Sequence, residues 1–511
     1  MTDEALRLLR EQPSLAARAA HPFGFDVDRA DHGHVEEVRL VTGGPLEVIA
    51  GDDTGGTYFR CADGSVLYAS SEGASGLVGS TVDEALETVI GLPDWGAYAN
   101  LTPEDGEAAV QAMAAEVAAE FLEHYGPGVE EQRVALLAAL GLPERPRVEL
   151  VRLLYAALER SEPEFVLLNA EEGRAYEPLH DRPLPPLWTP VLARGRADLA
   201  ALRRGDGATR AAVESDAVRR RVVLRAAQFD RAEGDRELLR RLLRREADRS
   251  MTDELRLAAM LVGRYGRAED LPLLHEVRDT DFDTAQGLSE LPGARADGAE
   301  LARWARDLDT LRFGSDPADE PLLLWTGLAL DQGLTELARV ALIRDLDEIE
   351  LDQGRLRSPA DPGRLVPQPL ADLAREFERL GDLRQALRAQ RLHTALQDTA
   401  WNRVSARLDQ ARLEREAGLA ESAAATLAGL RDILADPGDG SLLYWHRVTL
   451  GRRVAQEHYT LAVALADAGL AREARTVLAA GDAILGRLSE AAARGVRELA
   501  EETATWVWGV S

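Results

Sequence analysis

Four glycines in the C-terminal third most narrowly constrain how this chain can fold. Gly333, Gly381, Gly418 and Gly469 are each followed five residues later by alanine: Ala338, Ala386, Ala423 and Ala474. Each is preceded by seven residues by a small side chain: Thr326, Ala374, Ala411 and Ala462. The stretch around Gly381 shows what this register means. Leu370, Leu373, Ala374, Phe377 and Leu380 precede Gly381-Asp382, and Leu383, Ala386 and Leu387 follow it, at the three-and-four spacing of helices. Glycine ends the first helix, and the chain turns back as a second. Small residues twelve apart then meet where two antiparallel helices cross closely. A larger side chain at either place would force them apart. The pattern predicts a stack of helix hairpins.

This register resembles the tetratricopeptide-repeat family, whose small residues have the same separation. The glycine spacings here are 48, 37 and 51, where the family repeats at about 34 residues. Its aromatic positions are only partly filled, by Trp325 and Phe377. The resemblance implies stacked hairpins, and the family's ligand-binding positions do not carry over. Upstream, Leu257, Ala258 and Leu261, then Tyr265-Gly266-Arg267, then Leu271, Leu273, Leu274 and Val277, are similar to a HEAT-type repeat. Trp401, Trp445, Trp506 and Trp508 read as core or end-cap residues, the last two sealing the terminal repeat.

The N-terminal region follows a different period. Met1 to about Ala20 reads as one amphipathic helix ended by Pro22 and Gly24. From Val35 to Ser80 the period approaches two. Val35, Val38 and Leu40 begin an extended run; Leu46, Val48 and Ala50 alternate; Thr57 to Cys61 and Ser65 to Ser70 follow after glycine turns. Such short runs predict an antiparallel meander. Thr81 caps a closing helix, with Glu84 completing a capping box. The segments Ile49–Asp52, Gly56–Phe59, Asp63–Tyr68, Glu84–Leu86 and Leu92–Trp95 resemble the SUKH superfamily, which includes fungal cell-wall assembly regulators and bacterial immunity proteins. The resemblance covers residues 20 to 100. It implies a binding domain that neutralises a toxin by direct contact, without enzyme chemistry.

Between these regions the helical period returns. Thr102-Pro103-Glu104 starts a helix with Val110, Met113, Val117, Ala118 and Phe121 as its stripe, broken at Gly126-Pro127-Gly128. Val134 to Leu140 and Val148 to Leu158 make two more helices. Phe165 to Asn169 is a short apolar run of undecided type, and Asp181 to Pro190, with four prolines, is a linker. The resulting architecture is an α+β N-terminal domain (a small antiparallel sheet with flanking helices) followed by an all-α helical-hairpin superhelix. Its units are 1–105, a connector 106–190, a HEAT-like region 191–310 and degenerate repeats 311–511.

Charge and composition narrow the function classes. The net charge is −28, and all 60 basic residues are arginine. That balance disfavours nonspecific adhesion to nucleic acid and anionic lipid. No run reaches the roughly 18 apolar residues of a membrane span. The N-terminus lacks the basic start and apolar run of a signal peptide, and the single cysteine, Cys61, fits a reducing compartment. The expected location is cytoplasmic, and bacterial by what the SUKH resemblance described above implies. The segment 194–249 holds 16 Arg against 10 Asp plus Glu, a local +6. Interleaved acids and the lack of aromatic partners favour i, i+4 pairs on a solvated helix face over a nucleic-acid groove. An acidic protein partner, or acids elsewhere in the chain, would also account for these arginines.

No catalytic constellation emerges. Gly51 to Gly56 lacks the lysine of a phosphate loop, and Asp52-Asp53 would repel phosphate. His32-Gly33-His34 lacks further ligands for a metal. Cys61 reads as a half-buried structural thiol. No catalytic residue, cofactor or metal is expected. The candidate partner-binding residues are Asp52, Asp53 and Glu72. Residues 1–105 hold 19 Asp plus Glu against 6 Arg, suited to a basic protein partner. The expected function is a non-enzymatic protein–protein interaction protein, in its sharper form an immunity protein against a basic toxin. The alternative is a regulatory scaffold whose helical array docks a client.

Overall fold

The computed structural model describes residues 3–356 and 367–509. The first helix is two, α1 (Glu4–Glu11) and α2 (Pro13–Ala20). Gln12 between them is extended, with φ −121° and ψ 94°, because the residue before proline avoids the helical region. Met1 and Thr2 lie outside the described residues. The strands are β1 (Val38–Leu40), β2 (Leu46–Gly51), β3 (Thr57–Cys61), β4 (Val66–Ala69) and β5 (Ala74–Gly79), closed by α3 (Val82–Gly91). β2 to β5 form the expected antiparallel meander. Thr81 caps α3 by accepting from the Glu84 amide at 3.1 Å.

The run from Val35 to Leu40 does not open that meander. β1 pairs with β6 (Leu167–Asn169), Val38 opposite Asn169 and Leu40 opposite Leu167. The undecided run at Phe165–Asn169 is therefore partly a strand. A short β7 (Glu177–Pro178) adds in parallel to β5 and makes the larger sheet mixed. Helices α4 (Gly106–Tyr125), α5 (Val129–Leu140) and α6 (Arg147–Glu159) pack into one core with the sheet. Leu6, Tyr58, Leu86, Val117, Leu137 and Leu154 belong to a single cluster. The expected boundary at 105 is therefore not a break in packing. The N-terminal unit runs to about Leu179, because the strands that complete its sheets lie beyond α6.

Next come α7 (Trp188–Arg203), α8 (Gly207–Ser215), α9 (Ala217–Phe229), α10 (Arg236–Glu246), α11 (Asp253–Gly263), α12 (Leu271–Arg278), α13 (Phe282–Gly287) and α14 (Gly298–Arg312). Their arginines are held by carboxylates of other helices and turns. Arg203 makes a fork to Asp235 at 3.0 and 2.7 Å, and Arg236 repeats it on Asp270 at 3.0 and 2.9 Å. Arg219 grips Asp198, Arg220 grips Glu246, and Arg231 grips Asp309. These pairs join helices, so the expected i, i+4 pairing within one helix is not the main use of the basic segment.

The C-terminal helices are α15 (Leu322–Asp331), α16 (Thr335–Leu356), α17 (Gln368–Arg379), α18 (Leu383–Ala395), α19 (Ala400–Glu416), α20 (Ala420–Ala435), α21 (Thr449–Asp467), α22 (Ala471–Leu485), α23 (Glu490–Ala493) and α24 (Arg497–Gly509). Consecutive helices from α15 to α22 pack as four hairpins. Each turns on its glycine: φ is 78°, 71°, 78° and 80° at Gly333, Gly381, Gly418 and Gly469, a conformation that costs a side-chain-bearing residue. The four turns share one hydrogen-bond pattern. The amide after each glycine donates to the carbonyl five residues back: Leu334 to Ala329, Asp382 to Phe377, Leu419 to Glu414, Leu470 to Leu465. That is the Schellman closure of a helix C-terminus. Ala338, Ala386, Ala423 and Ala474 are fully buried, as are Thr326, Ala411 and Ala462, and Ala374 is 4% exposed. Trp506 and Trp508 lie against the last hairpin from its surface, the Trp506 indole N–H donating to Asp467 of α21 at 2.8 Å and Arg475 of α22 standing over the Trp508 ring. They are 52% and 59% exposed, while Val507 between them is buried.

The N-terminal unit is clamped onto the first two hairpins. Val41, Val166 and Leu168 join the core of Ile343, Leu346, Phe377 and Leu387. Burying such side chains contributes about 1.5–3 kcal/mol each.

Candidate functional site

One concave site lies on the outer edge of the sheet and another at the clamp. The outer site is built by the glycine loop between β2 and β3. Asp52 Oδ1 accepts from the Thr54 and Gly56 amides at 2.9 and 2.8 Å and from the Thr54 hydroxyl at 2.8 Å. Its Oδ2 accepts from the Tyr68 hydroxyl at 2.7 Å. Asp52 is buried, with both oxygens engaged in shaping the turn. This engagement sets Asp52 apart from Asp53 and Glu72 among the residues expected to meet a partner. A side chain at Gly56 would bring its Cβ within 2.5 Å of Asp52 Oδ2 and into the Tyr68 hydroxyl, so glycine is required there by space.

Asp53 and Glu72 remain exposed, and the fold brings their two turns together. The Ser71 hydroxyl donates to the Thr54 carbonyl at 3.0 Å and lies 3.3 Å from Glu72 Oε1. Beside them is a groove of about 530 Å³ lined by Asp26, Asp28, Arg29, His32, His34 and Asp52, among others. Asp28 on its lining and Asp31, next to the lining residue His32, are exposed. Arg29 pairs with Asp26 at 3.3 Å, and Val35 protrudes at 72% exposure.

His34 and His32 do not act as a pair. His34 Nδ1 lies 2.9 Å from the Thr57 hydroxyl and Nε2 lies 3.1 Å from the Tyr176 hydroxyl. Tyr176 in turn donates to Glu36 at 3.0 Å. Burial holds the His34 imidazole below its ordinary pKa, so it is neutral at pH 7. Both its nitrogens are engaged, which suits a structural role tying the segment before β1 to the start of β3 and to Tyr176 just before β7. Among the described residues, no group of three or more His, Cys, Asp or Glu could hold a metal ion. Cys61 is buried, and burial pushes its thiol up to about 11, which makes it a poor nucleophile.

The second site is the clamp, which sequence reasoning did not find. The turn after β6 is closed by Asn169, whose Oδ1 accepts the Glu171 and Glu172 amides at 2.9 and 2.8 Å. The array reads the backbone of this turn. Gln385 and Arg388 donate to the Gly173 carbonyl at 2.6 and 3.2 Å, and Arg384 donates to the Ala170 carbonyl at 2.8 Å. Arg344 donates to the Tyr176 carbonyl at 3.1 Å and to Glu162 at 2.5 Å. Asp347 accepts the Ala175 amide at 3.0 Å and faces Arg388 at 2.6 Å. Helical side chains thus hold an irregular backbone as they would a bound peptide. Beneath lies a cleft of about 540 Å³, lined by Tyr155, Phe165, Tyr176, His180, Leu337 and Arg344 among others. No signal in the separate segments pointed here, because the turn and its holders lie about two hundred residues apart.

No family model, curated protein or solved structure matches this chain. Among the described residues, no helix is long and apolar enough to cross a membrane.

Proposed function

We propose that this chain is a non-enzymatic protein-interaction protein whose N-terminal unit covers a basic protein, in the sharper form a toxin-neutralising immunity protein of a bacterial cytoplasm. One observation carries the proposal. Asp26, Asp28 and Asp52 line one groove with the protruding Val35, Asp53 and Glu72 stand exposed on the two turns joined beside it, and the guanidinium lining that groove already faces Asp26. Exposed charge of one sign beside a concave surface is what steers a protein partner of the opposite sign. The clamp supports the same view from the other side, because it uses the first hairpins of the array to hold this unit in place.

The test is growth rescue on co-expression with a basic toxin encoded beside the gene, together with capture of the toxin on the full-length chain. Wild type rescues and captures; Asp53→Arg/Glu72→Arg does neither. Absence of rescue by the wild type overturns the immunity form, and equal capture by the double variant overturns the surface. The scaffold alternative has its own observation. Leu443 and Tyr444, between α20 and α21, are 66% and 58% exposed, away from the clamp. A client lost with Tyr444→Arg, and retained by Asp53→Arg/Glu72→Arg, would select that alternative.

A further inference from the structure

α4 is apolar around most of its circumference, yet only Val110, Ala114 and Val117 are buried. A helix with that pattern is ordinarily covered on more than one side. An apolar groove of about 190 Å³ runs along its C-terminal half, lined by Tyr98, Val117, Phe121, Leu122, Pro127 and Val129, with Glu130 and Arg147 at its edge. Leu122 on its lining stands 56% exposed. From Leu122 the uncovered face continues through Ala119, Ala115, Ala112 and Ala108, all exposed. These positions alternate by three and four residues, the spacing at which one helix lies along another. The charge on this face has one sign. α4 carries Glu107, Glu116, Glu120 and Glu123 and no arginine, in a chain with 60. Arg147 at the groove edge is 3.7 Å from Glu130, which Arg133 also holds at 2.6 Å.

We propose that this groove and the α4 face beside it dock an amphipathic helix of a protein partner. One large apolar side chain of that helix enters the groove, and its arginines or lysines face Glu116, Glu120 and Glu123. The proposal rests on the preceding section for the sign of the partner's charge, and it adds a second surface and the partner's form. A second copy of this chain fits poorly, because its own α4 would set glutamates against glutamates.

The probe is a displayed library of helical peptides, randomised at seam and flanking positions and panned on the full-length chain. Enriched peptides carry Arg or Lys flanks and a Leu, Phe or Met in the seam. Their affinity falls about tenfold or more for Leu122→Arg and for Glu116→Arg/Glu123→Arg, with unchanged thermal melts, and is retained by Asp53→Arg/Glu72→Arg. No enrichment, acidic or neutral flanks, or equal binding to Leu122→Arg overturns the proposal. Dimerisation of the free chain that Leu122→Arg abolishes overturns it too, by giving the face to a second copy. A natural partner lost with Asp53→Arg/Glu72→Arg but kept by Leu122→Arg removes this face alone and leaves the N-terminal rim standing.

Discussion

Replacing Ala423 by leucine tests the close helix crossing directly. Ala423 is fully buried, as is Ala411 across the hairpin, and the two belong to one core with Leu408, Leu427 and Tyr459. Leucine adds three carbons where the neighbouring helix already fills the space. Overpacking of this kind costs about 1–3 kcal/mol. For a cooperative unit of about 150–250 residues, each kcal/mol lowers the midpoint by about 2–4 °C, so a fall of about 2–12 °C is expected. Ala425, two residues on in the same helix, is exposed. Leucine there changes composition equally but meets only solvent, so its cost stays within about 0.5 kcal/mol. Thermal melts followed by far-ultraviolet circular dichroism compare the two. If Ala423→Leu melts with Ala425→Leu, the twelve-residue register does not mark close crossings, and the hairpin stack loses its sequence basis.

Gly56→Ala should cost about 1.5–3 kcal/mol, the worth of a hydrogen bond to a charged group, because its Cβ displaces Tyr68 from Asp52. In a Tyr68→Phe background the Tyr68–Asp52 bond is already gone, so that part of the cost should disappear, while the approaches to Asp52 Oδ2 at 2.5 Å and to the ring edge at 2.6 Å remain; a double-mutant cycle read by urea unfolding should therefore show a coupling of about 0.5–3 kcal/mol. Gln385→Ala/Arg388→Ala removes two donors to the Gly173 carbonyl; amide exchange across 170–176 should quicken about tenfold or more, with β2 to β5 unchanged. His458 is fully buried, and burial lowers its pKa to about 4, below the ordinary 6.5 or so. The unfolded chain therefore binds the proton first: stability is full above pH 6.5, falls by about 3 kcal/mol as pH drops to 4, and levels below. His458→Gln should remove that slope from the unfolding free energy. Raising salt from about 0.05 to 0.5 M should slow association with a basic partner by about tenfold or more while moving the melting midpoint little, since exposed rim charges are screened and buried pairs are not.

Some of the structure was legible because its physical cause is local. The hairpin array announces itself through glycine and alanine offsets that one helix turn imposes on its own neighbours. The meander from Leu46 to Gly79 was legible for the same reason, with glycine turns between alternating strands. What was hidden depends on partners far along the chain. Val38 to Leu40 looks like any extended run until Leu167 to Asn169 pairs with it. Asp52 and Asp53 are indistinguishable as neighbours in a polar loop. Tyr68, 16 residues on, turns one inward and leaves the other exposed. The arginines of 194–249 read as a helix surface because the carboxylates that join them to other helices lie 21 to 110 residues away, as in Arg219–Asp198 and Arg221–Asp331.

Those distant pairs also decide where the acidic charge is available. The basic segment carries a local +6, and it could in principle neutralise the acidic N-terminal unit. It does not reach that unit. Its arginines engage Asp198, Asp230, Asp235 and Glu246 within the segment, and Glu254, Asp270, Asp309, Glu320 and Asp331 just beyond it. With Glu269, which also pairs with Arg236, six carboxylates from outside match the six excess positive charges in place. Asp270 is fully buried and Asp235 is 3% exposed, so these pairs are interior fastenings between helices, which makes them a costly place to bind a polyanion. The array meets the N-terminal unit with guanidiniums as well. Arg344, Arg384 and Arg388 point at backbone carbonyls of the 170–176 turn and at acids near it; they leave Asp53, Glu72 and the glutamates of α4 untouched. The chain thus places its cations where they join its own parts and leaves two acidic faces outward. A charged surface that no internal contact requires is the one on which a partner of opposite sign can settle without first displacing a piece of the fold.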